Sequence, residues 1–266
     1  MNSAIAFAKL KLVRIAAHIE EINGQIEILT RSKNAYEIRA EPSGKETLHF
    51  IVGPSAEVQI IAGEIVYQLK SILDQLAFAL VSSNPNKVQL EKGWETRCEF
   101  PLIQKVPTDP RTGVAYSLPV PQAVFDKRLP GLLPEAYIFI EGVQPYRAGP
   151  GVHNILRIVG KLANIDKHRH GYILVQRAAV HNYFTCSDGF RHMSTTGGVN
   201  HGTEIPLFEG IPGETPLNVA RTITPYITFD ETVGAGPDTL DTENVLQVCL
   251  DNFRSEILPS FERLIQ

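Results

Sequence analysis

The sequence predicts an α+β fold: a helical core with a strand-rich stretch late in the chain. Three observations predict it. Apolar residues recur at steps of three, four and seven over several long segments, the period of a helix that buries one face. β-Branched and aromatic residues collect in short runs between turn residues from about 171 to 233. After that stretch the helical period returns at the C-terminal end. With 266 residues, 43% of them hydrophobic and 20% charged, the chain suffices for a sizeable core, and residues 1–266 read as a single α+β domain with 171–233 as a β-rich insert.

The first helix is expected over 4–32, where Ile5, Leu12, Ile15, Ile19, Ile22, Ile26 and Leu29 recur at steps of three, four and seven. Two strand-like runs follow, Ala35 to Glu41 and Thr47 to Val52. Pro42-Ser43-Gly44 joins them as a turn, which makes an N-terminal hairpin. The second helix, 56–82, carries a broad stripe through Ile61, Ile65, Leu69, Ile72, Leu73, Leu76 and Leu80, with Ser55 placed to cap its first turn. From about 84 to 135 the chain is rich in Pro and Gly and is expected to drape over the helices, with a helical turn near Pro121 to Lys127. A short helix over Pro134 to Glu141 and a longer one over 153–164 precede the insert. Within the insert Tyr172 to Val180, Tyr183 to Cys186, Thr203 to Phe208 and Thr222 to Phe229 read as strands, and Gly197-Gly198 as a turn. The last helix spans 242–265, where Pro259 should kink or break it.

Composition narrows the function classes. A net charge of −4 provides no global field for nucleic acid, so an anion would have to meet a local patch. Cys98, Cys186 and Cys249 are odd in number and widely spaced, against both a disulfide framework and a thiolate zinc site. No secretory signal and no uninterrupted apolar span is apparent, so a cytoplasmic protein without membrane contact is expected. Among the histidines, His168-Arg169-His170 is the only close pair, and it lacks third and fourth ligands, so neither metal nor cofactor is expected. No nucleophile elbow, Walker loop or dinucleotide glycine pattern occurs. Trp94, Tyr67 and Tyr146 read as packing residues.

The most informative run is Asn164-Ile165-Asp166-Lys167-His168-Arg169, a polar knot at the end of an apolar helix, just before a strand. Arg169 has the planar fork that binds phosphate or carboxylate through two hydrogen bonds, Lys167 adds a point charge, and His168 is suited to acid–base work. The same cations would also satisfy carbonyls at a helix C-terminus, and both readings stand. On the second helix Lys70 and Asp74 are spaced for an i, i+4 ion pair, or for Asp74 to orient His168.

Four pieces carry a resemblance. Gly63-Glu64-Ile65-Val66-Tyr67-Gln68-Leu69-Lys70-Ser71-Ile72-Leu73-Asp74-Gln75-Leu76-Ala77, Phe100-Pro101-Leu102, Gln144-Pro145-Tyr146 and Asn164 to Arg169 occur in that order. Together they resemble a family of uncharacterised bacterial proteins with a GDxxHNLRSALDHLA-like helix and an NxDKHR motif. The helix also resembles the Arg-x4-6-His motif of HEPN-type helical domains, many of them metal-independent RNases of toxin and defence systems. That resemblance implies a phosphate-holding arginine and a proton-transferring histidine. This chain has Lys70 and Gln75 there, and glutamine exchanges no proton near neutral pH. The expected function is therefore binding of a protein partner or anionic ligand through Asn164–Arg169, with Lys70, Asp74, Asn164, Asp166 and Lys167 as binding residues. The alternative is an RNase using His168 for acid–base chemistry and Arg169 as the phosphate clamp.

Overall fold

In the computed structural model the described residues are 3–32, 35–40, 42, 45–84, 92–148, 155–168, 174–185, 191–205, 218–229 and 242–265, without the side chains of 165–168, 184–185, 191–197, 218–219 and 243. The architecture is α+β, as expected. The chain divides into a helical unit (Met1–Ile19, Ile61–Gly171, Leu246–Gln266) and a sheet unit (Glu20–Ile60, Tyr172–Val245).

Helix α1 covers Ser3–Arg31, and its isoleucine face is buried from Ile5 to Ile26. Helix α2, Ala56–Ser82, begins where expected because the Ser55 hydroxyl accepts the Val58 amide at 3.2 Å and so satisfies one orphan donor of the first turn. Its length and apolarity would suffice to cross a bilayer, but Leu69, Ile72, Leu73 and Leu76 are fully buried in the protein. Helices α3 (Pro134–Gly142) and α4 (Ile155–His168) follow.

Between α2 and α3 the chain makes 3-10 turns at Trp94–Thr96 and Gln122–Val124 and an isolated bridge, Thr108 to Ala115. The helical turn expected near Pro121 is the second of these. In the helical unit Phe100, Phe139 and Phe261 pack ring on ring, with centroids 6.2 Å and 5.3 Å from Phe261.

The C-terminal segment does not break at Pro259. Helix α5 (Thr242–Asn252) passes through a π turn, Phe253–Ile257, into α6 (Leu258–Ile265). Proline has no N–H to bond the carbonyl four residues back and would crowd it. The wider turn, in which the Leu258 amide bonds the Phe253 carbonyl, makes room without interrupting the helix.

The sheet unit holds two antiparallel three-stranded sheets. One has the order β1 (Tyr36–Ala40), β2 (Glu46–Phe50), β5 (Thr203–Glu204); the other has β4 (Arg191–Asn200), β3 (Leu174–Thr185), β6 (Asn218–Phe229). Leu48, Phe50, Ala178, Val180, Val199, Ile205 and Ile223 form their common core. Gly197-Gly198 is not a turn: it lies inside β4. Val180 pairs with Thr196 and Ala178 with Val199, so two glycines oppose the single Ala179 in a β-bulge. Gly198 has φ +75°, which a bulge requires and glycine supplies. The expected break between Val180 and Tyr183 is likewise absent, because β3 runs unbroken and pairs with β6 along its length. Residues 206–208, the second half of the expected strand Thr203 to Phe208, lie outside the described residues, as does Cys186 at the end of the expected strand Tyr183 to Cys186.

Candidate functional site

Two of the pieces singled out in the sequence, the α2 segment through Asp74 and Gln144-Pro145-Tyr146 through Gln144, meet the third at one irregular segment, residues 100–104. Such a segment has no ladder for its backbone amides, so side chains must accept them. Asp74 on α2 does so first: its Oδ1 accepts the Phe100 amide at 2.8 Å and also pairs with the Lys70 ammonium one turn earlier. Gln144 does the same from the other side. It is fully buried, its Oε1 accepts the Ile103 amide at 3.0 Å, and its Nε2 donates to the Ile140 carbonyl at 2.9 Å. A carboxylate and a carboxamide thus clamp Phe100-Pro101-Leu102-Ile103 between α2 and the end of α3.

A second buried carboxylate, Glu141, is 2% exposed. It accepts the Val120 amide at 3.2 Å and the Tyr146 hydroxyl at 3.3 Å on Oε1, and Arg147 Nε at 2.9 Å on Oε2. Burial and the Glu141 charge push the Tyr146 phenol well above its ordinary range. The same side chain holds a loop, a turn and a cation, which makes it a structural hub.

Near Asp74, Lys11 donates to Ser71 Oγ at 2.7 Å, and burial holds its pKa below the usual lysine value although Asp74 opposes the shift. The Cys98 thiol is pushed up to about 11 by burial and by the charges of Asp74 and Glu99, so it is a poor nucleophile at neutral pH. Asp74, Ser71 and Gln75 also border an open, mostly apolar cavity of about 340 Å³ beside Phe7 and Phe78.

Helix α4 touches the same segment. A Cβ at Gly160 would stand 2.8 Å from Gln104 Nε2 and 3.2 Å from Leu102 Cβ, so a larger residue would have to displace the Gln104 side chain and press on Leu102. Around it α4 is buried almost all round: Ile155, Leu156, Ile158, Val159, Leu162 and Ala163 are covered. Arg157 and Asn164 are exposed and Lys161 is half-buried. At roughly 100° per residue these three fall on one narrow stripe, with position 168 in line and position 166 about half a turn away. Residues 102–104 line one edge of this polar window.

The predicted site residues therefore separate. Lys70 and Asp74 come together, as the i, i+4 spacing implies. Asn164 makes no hydrogen bond or ion pair with either. The expected helix end at Asn164 is corrected: α4 continues to His168, so Asp166, Lys167 and His168 occupy its last turn instead of a non-helical knot. The side chains of Asp166, Lys167 and His168, and all of Arg169, lie outside the described residues. Sequence reasoning missed Arg157 and Lys161, whose signal was their place as polar interruptions, at i and i+4, of an otherwise apolar helix. Tyr67, expected to pack, is exposed, whereas Trp94 stacks on Phe78 with centroids 5.3 Å apart. Among the described residues no three His, Cys, Asp or Glu side chains gather as a metal would need. No family model matches the chain, and no curated protein or solved structure matches it.

Proposed function

We propose that this protein, on a HEPN-like scaffold whose motif has lost its chemistry, binds an anionic ligand or a protein partner in the cytoplasm through the Asn164–Arg169 region. One observation carries the reading: the α2 side chains where a HEPN enzyme would hold its phosphate and move its proton have other work. Lys70 is closed on Asp74, Asp74 is closed on the Phe100 amide, and Gln75 has no proton to exchange near neutral pH. Asn164, at the start of the polar run, is exposed.

The test is to incubate the protein with labelled RNA and DNA, with and without EDTA, and to scan inorganic phosphate, sulfate and citrate for thermal stabilisation. A bound anion raises the unfolding temperature by mass action. The expected result is intact nucleic acid and an anion-dependent rise that the Lys167→Gln/Arg169→Gln variant loses. Metal-independent RNA cleavage abolished in His168→Ala would overturn the binding-only reading in favour of an RNase.

A further inference from the structure

The open cavity bordered by α1 and α2 has a serine and a lysine at its polar side. Ser71 lines it, and Lys11 Nζ lies 2.7 Å from Ser71 Oγ. A serine or threonine inside a helix commonly gives its hydroxyl proton to a carbonyl of the preceding turn. Thr30 does so to the Ile26 carbonyl at 2.8 Å, and Ser83 to the Leu80 carbonyl at 2.9 Å. Ser71 does not: among the described residues Lys11 is the only hydrogen-bond partner of its hydroxyl. The Ser71 proton is therefore not committed to its own helix.

Lys11 is half-buried, and burial holds its pKa below the usual lysine value; Asp74 opposes the shift without cancelling it. A lysine displaced in this direction spends more of its time as the neutral amine, the form that accepts a proton. Asp74 is the charged group on the cavity wall, and its pairing with Lys70 offsets its charge.

The rest of the wall suits an acyl group. Phe7 and Phe78 are exposed and offer apolar rings, and Trp94 braces Phe78. Ser3 and Ala4 bring the first turn of α1 to the same cavity. That turn holds no acidic residue, so the positive end of a 29-residue helix lies at the cavity without a carboxylate of its own turn to offset it. At about 340 Å³ the cavity is close to the lower bound of about 300 Å³ for small-molecule sites, room for a short chain or a single ring.

We propose that Ser71 and Lys11 are a catalytic pair, nucleophile and general base, that hydrolyses carboxylic esters of small apolar acids. This activity stands apart from binding at Asn164–Arg169, which its failure would leave intact. In the first step neutral Lys11 takes the Ser71 proton while Ser71 Oγ bonds the ester carbonyl carbon. Negative charge builds on the carbonyl oxygen, and the first turn of α1 offsets it. The bond from that carbon to the alcohol oxygen then breaks, and Lys11 gives its proton to the departing oxygen. Water attacks the acyl-serine next, passing one proton to Lys11 and its hydroxide to the carbonyl carbon. Ser71 Oγ leaves with the proton from Lys11, and the carboxylic acid is released.

The full chain is incubated with an alkyl fluorophosphonate, the labelled residue is located by mass spectrometry, and turnover of p-nitrophenyl butyrate is followed as a function of pH. Wild type is compared with Ser71→Ala, Lys11→Gln, Lys11→Arg and Asp74→Asn, each checked for folding by thermal denaturation. Wild type should carry the label on Ser71 and turn over the ester, faster as rising pH takes the proton from Lys11. Ser71→Ala should abolish both. Lys11→Gln should slow both about 100-fold or more, the loss of a general base. Lys11→Arg separates chemistry from structure. Arginine keeps the charge and can still donate to Ser71 but does not give up its proton, so the variant should fold and be as slow as Lys11→Gln. Asp74→Asn removes the charge that raises the Lys11 pKa, so the rise in rate should move to lower pH, which a merely structural lysine would not show. Wild type that forms no adduct on Ser71, or that fails to turn over the ester, overturns the inference. A folded Lys11→Arg variant that reacts as fast as wild type overturns it as well.

Discussion

The two units satisfy their backbones in opposite ways. In the sheet unit β3 is bonded on both edges, by β4 and by β6, and most strand amides find carbonyls. Side chains assist only at margins, as where His201 Nδ1 accepts the Phe50 amide at 3.1 Å. In the helical unit the long connection between α2 and α3 has one isolated bridge among the described residues, and its amides at Phe100, Ile103 and Val120 turn to Asp74, Gln144 and Glu141. The difference teaches how to read polar motifs. A carboxylate beside an irregular segment is often the acceptor that a missing strand would have provided.

The comparison breaks most severely at Glu141. Glu141→Ala strands the Val120 amide and the Arg147 guanidinium together, and should cost about 3 kcal/mol, in the range for removing one partner of a buried pair. Chemical denaturation of the variant measures it. A loss below about 1 kcal/mol would mean that the connection does not depend on side-chain acceptors.

Asp74 sharpens the same point with a chemical reporter. Asp74→Ala should cost about 2 kcal/mol by leaving the Phe100 amide and Lys70 without their acceptor, while Asp74→Asn keeps a carbonyl for the amide and should cost less. Cys98 reports the charge. With its thiol at about 11 rather than 9.0, its thiolate fraction at pH 8 is about 100-fold below that of an unperturbed thiol. Asp74→Asn removes one of the charges responsible, so alkylation of Cys98 at pH 8 should accelerate. The linkage has a definite sign. Between pH 9 and about 11 the folded chain keeps a proton that the unfolded chain releases. The stability from this group is therefore full below pH 9 and is lost as pH rises through that window. An unchanged alkylation rate in Asp74→Asn would place the cause in burial and the Glu99 charge.

Much of the helical frame was legible because its signals are local. The apolar stripe of α2 and the Ser55 cap lie within one element, and both were read correctly. The clamp on residues 100–104 was not legible, because Asp74 and Phe100 are 26 positions apart and nothing in either residue names its partner. The polar run after Ala163 looked like a helix end, since Asn and Asp favour ends, yet the helix carries on through it to His168. Lys161 escaped notice for the converse reason. One lysine in a helix is unremarkable until packing covers everything but a narrow window around it.

The mildest break separates two glycines of the sheet unit, one in a helix and one in a bulge. Gly198 stands in the β4 bulge at φ +75°, and an added Cβ would meet only Arg177 Nη1 at 3.7 Å, an ordinary contact. The cost of Gly198→Ala is then conformational, about 1–2 kcal/mol for holding an L-residue in the left-handed region. Gly24 lies in α1, with nothing within 4 Å of its would-be Cβ. Gly24→Ala should therefore stabilise, by up to about 1 kcal/mol, because alanine loses less backbone freedom in a helix. Opposite signs in thermal denaturation would show that backbone geometry, rather than space, decides what each position accepts. Equal signs would remove the bulge as the reason for the glycine pair, and with it the account of why β4 bends where its pairing with β3 shifts.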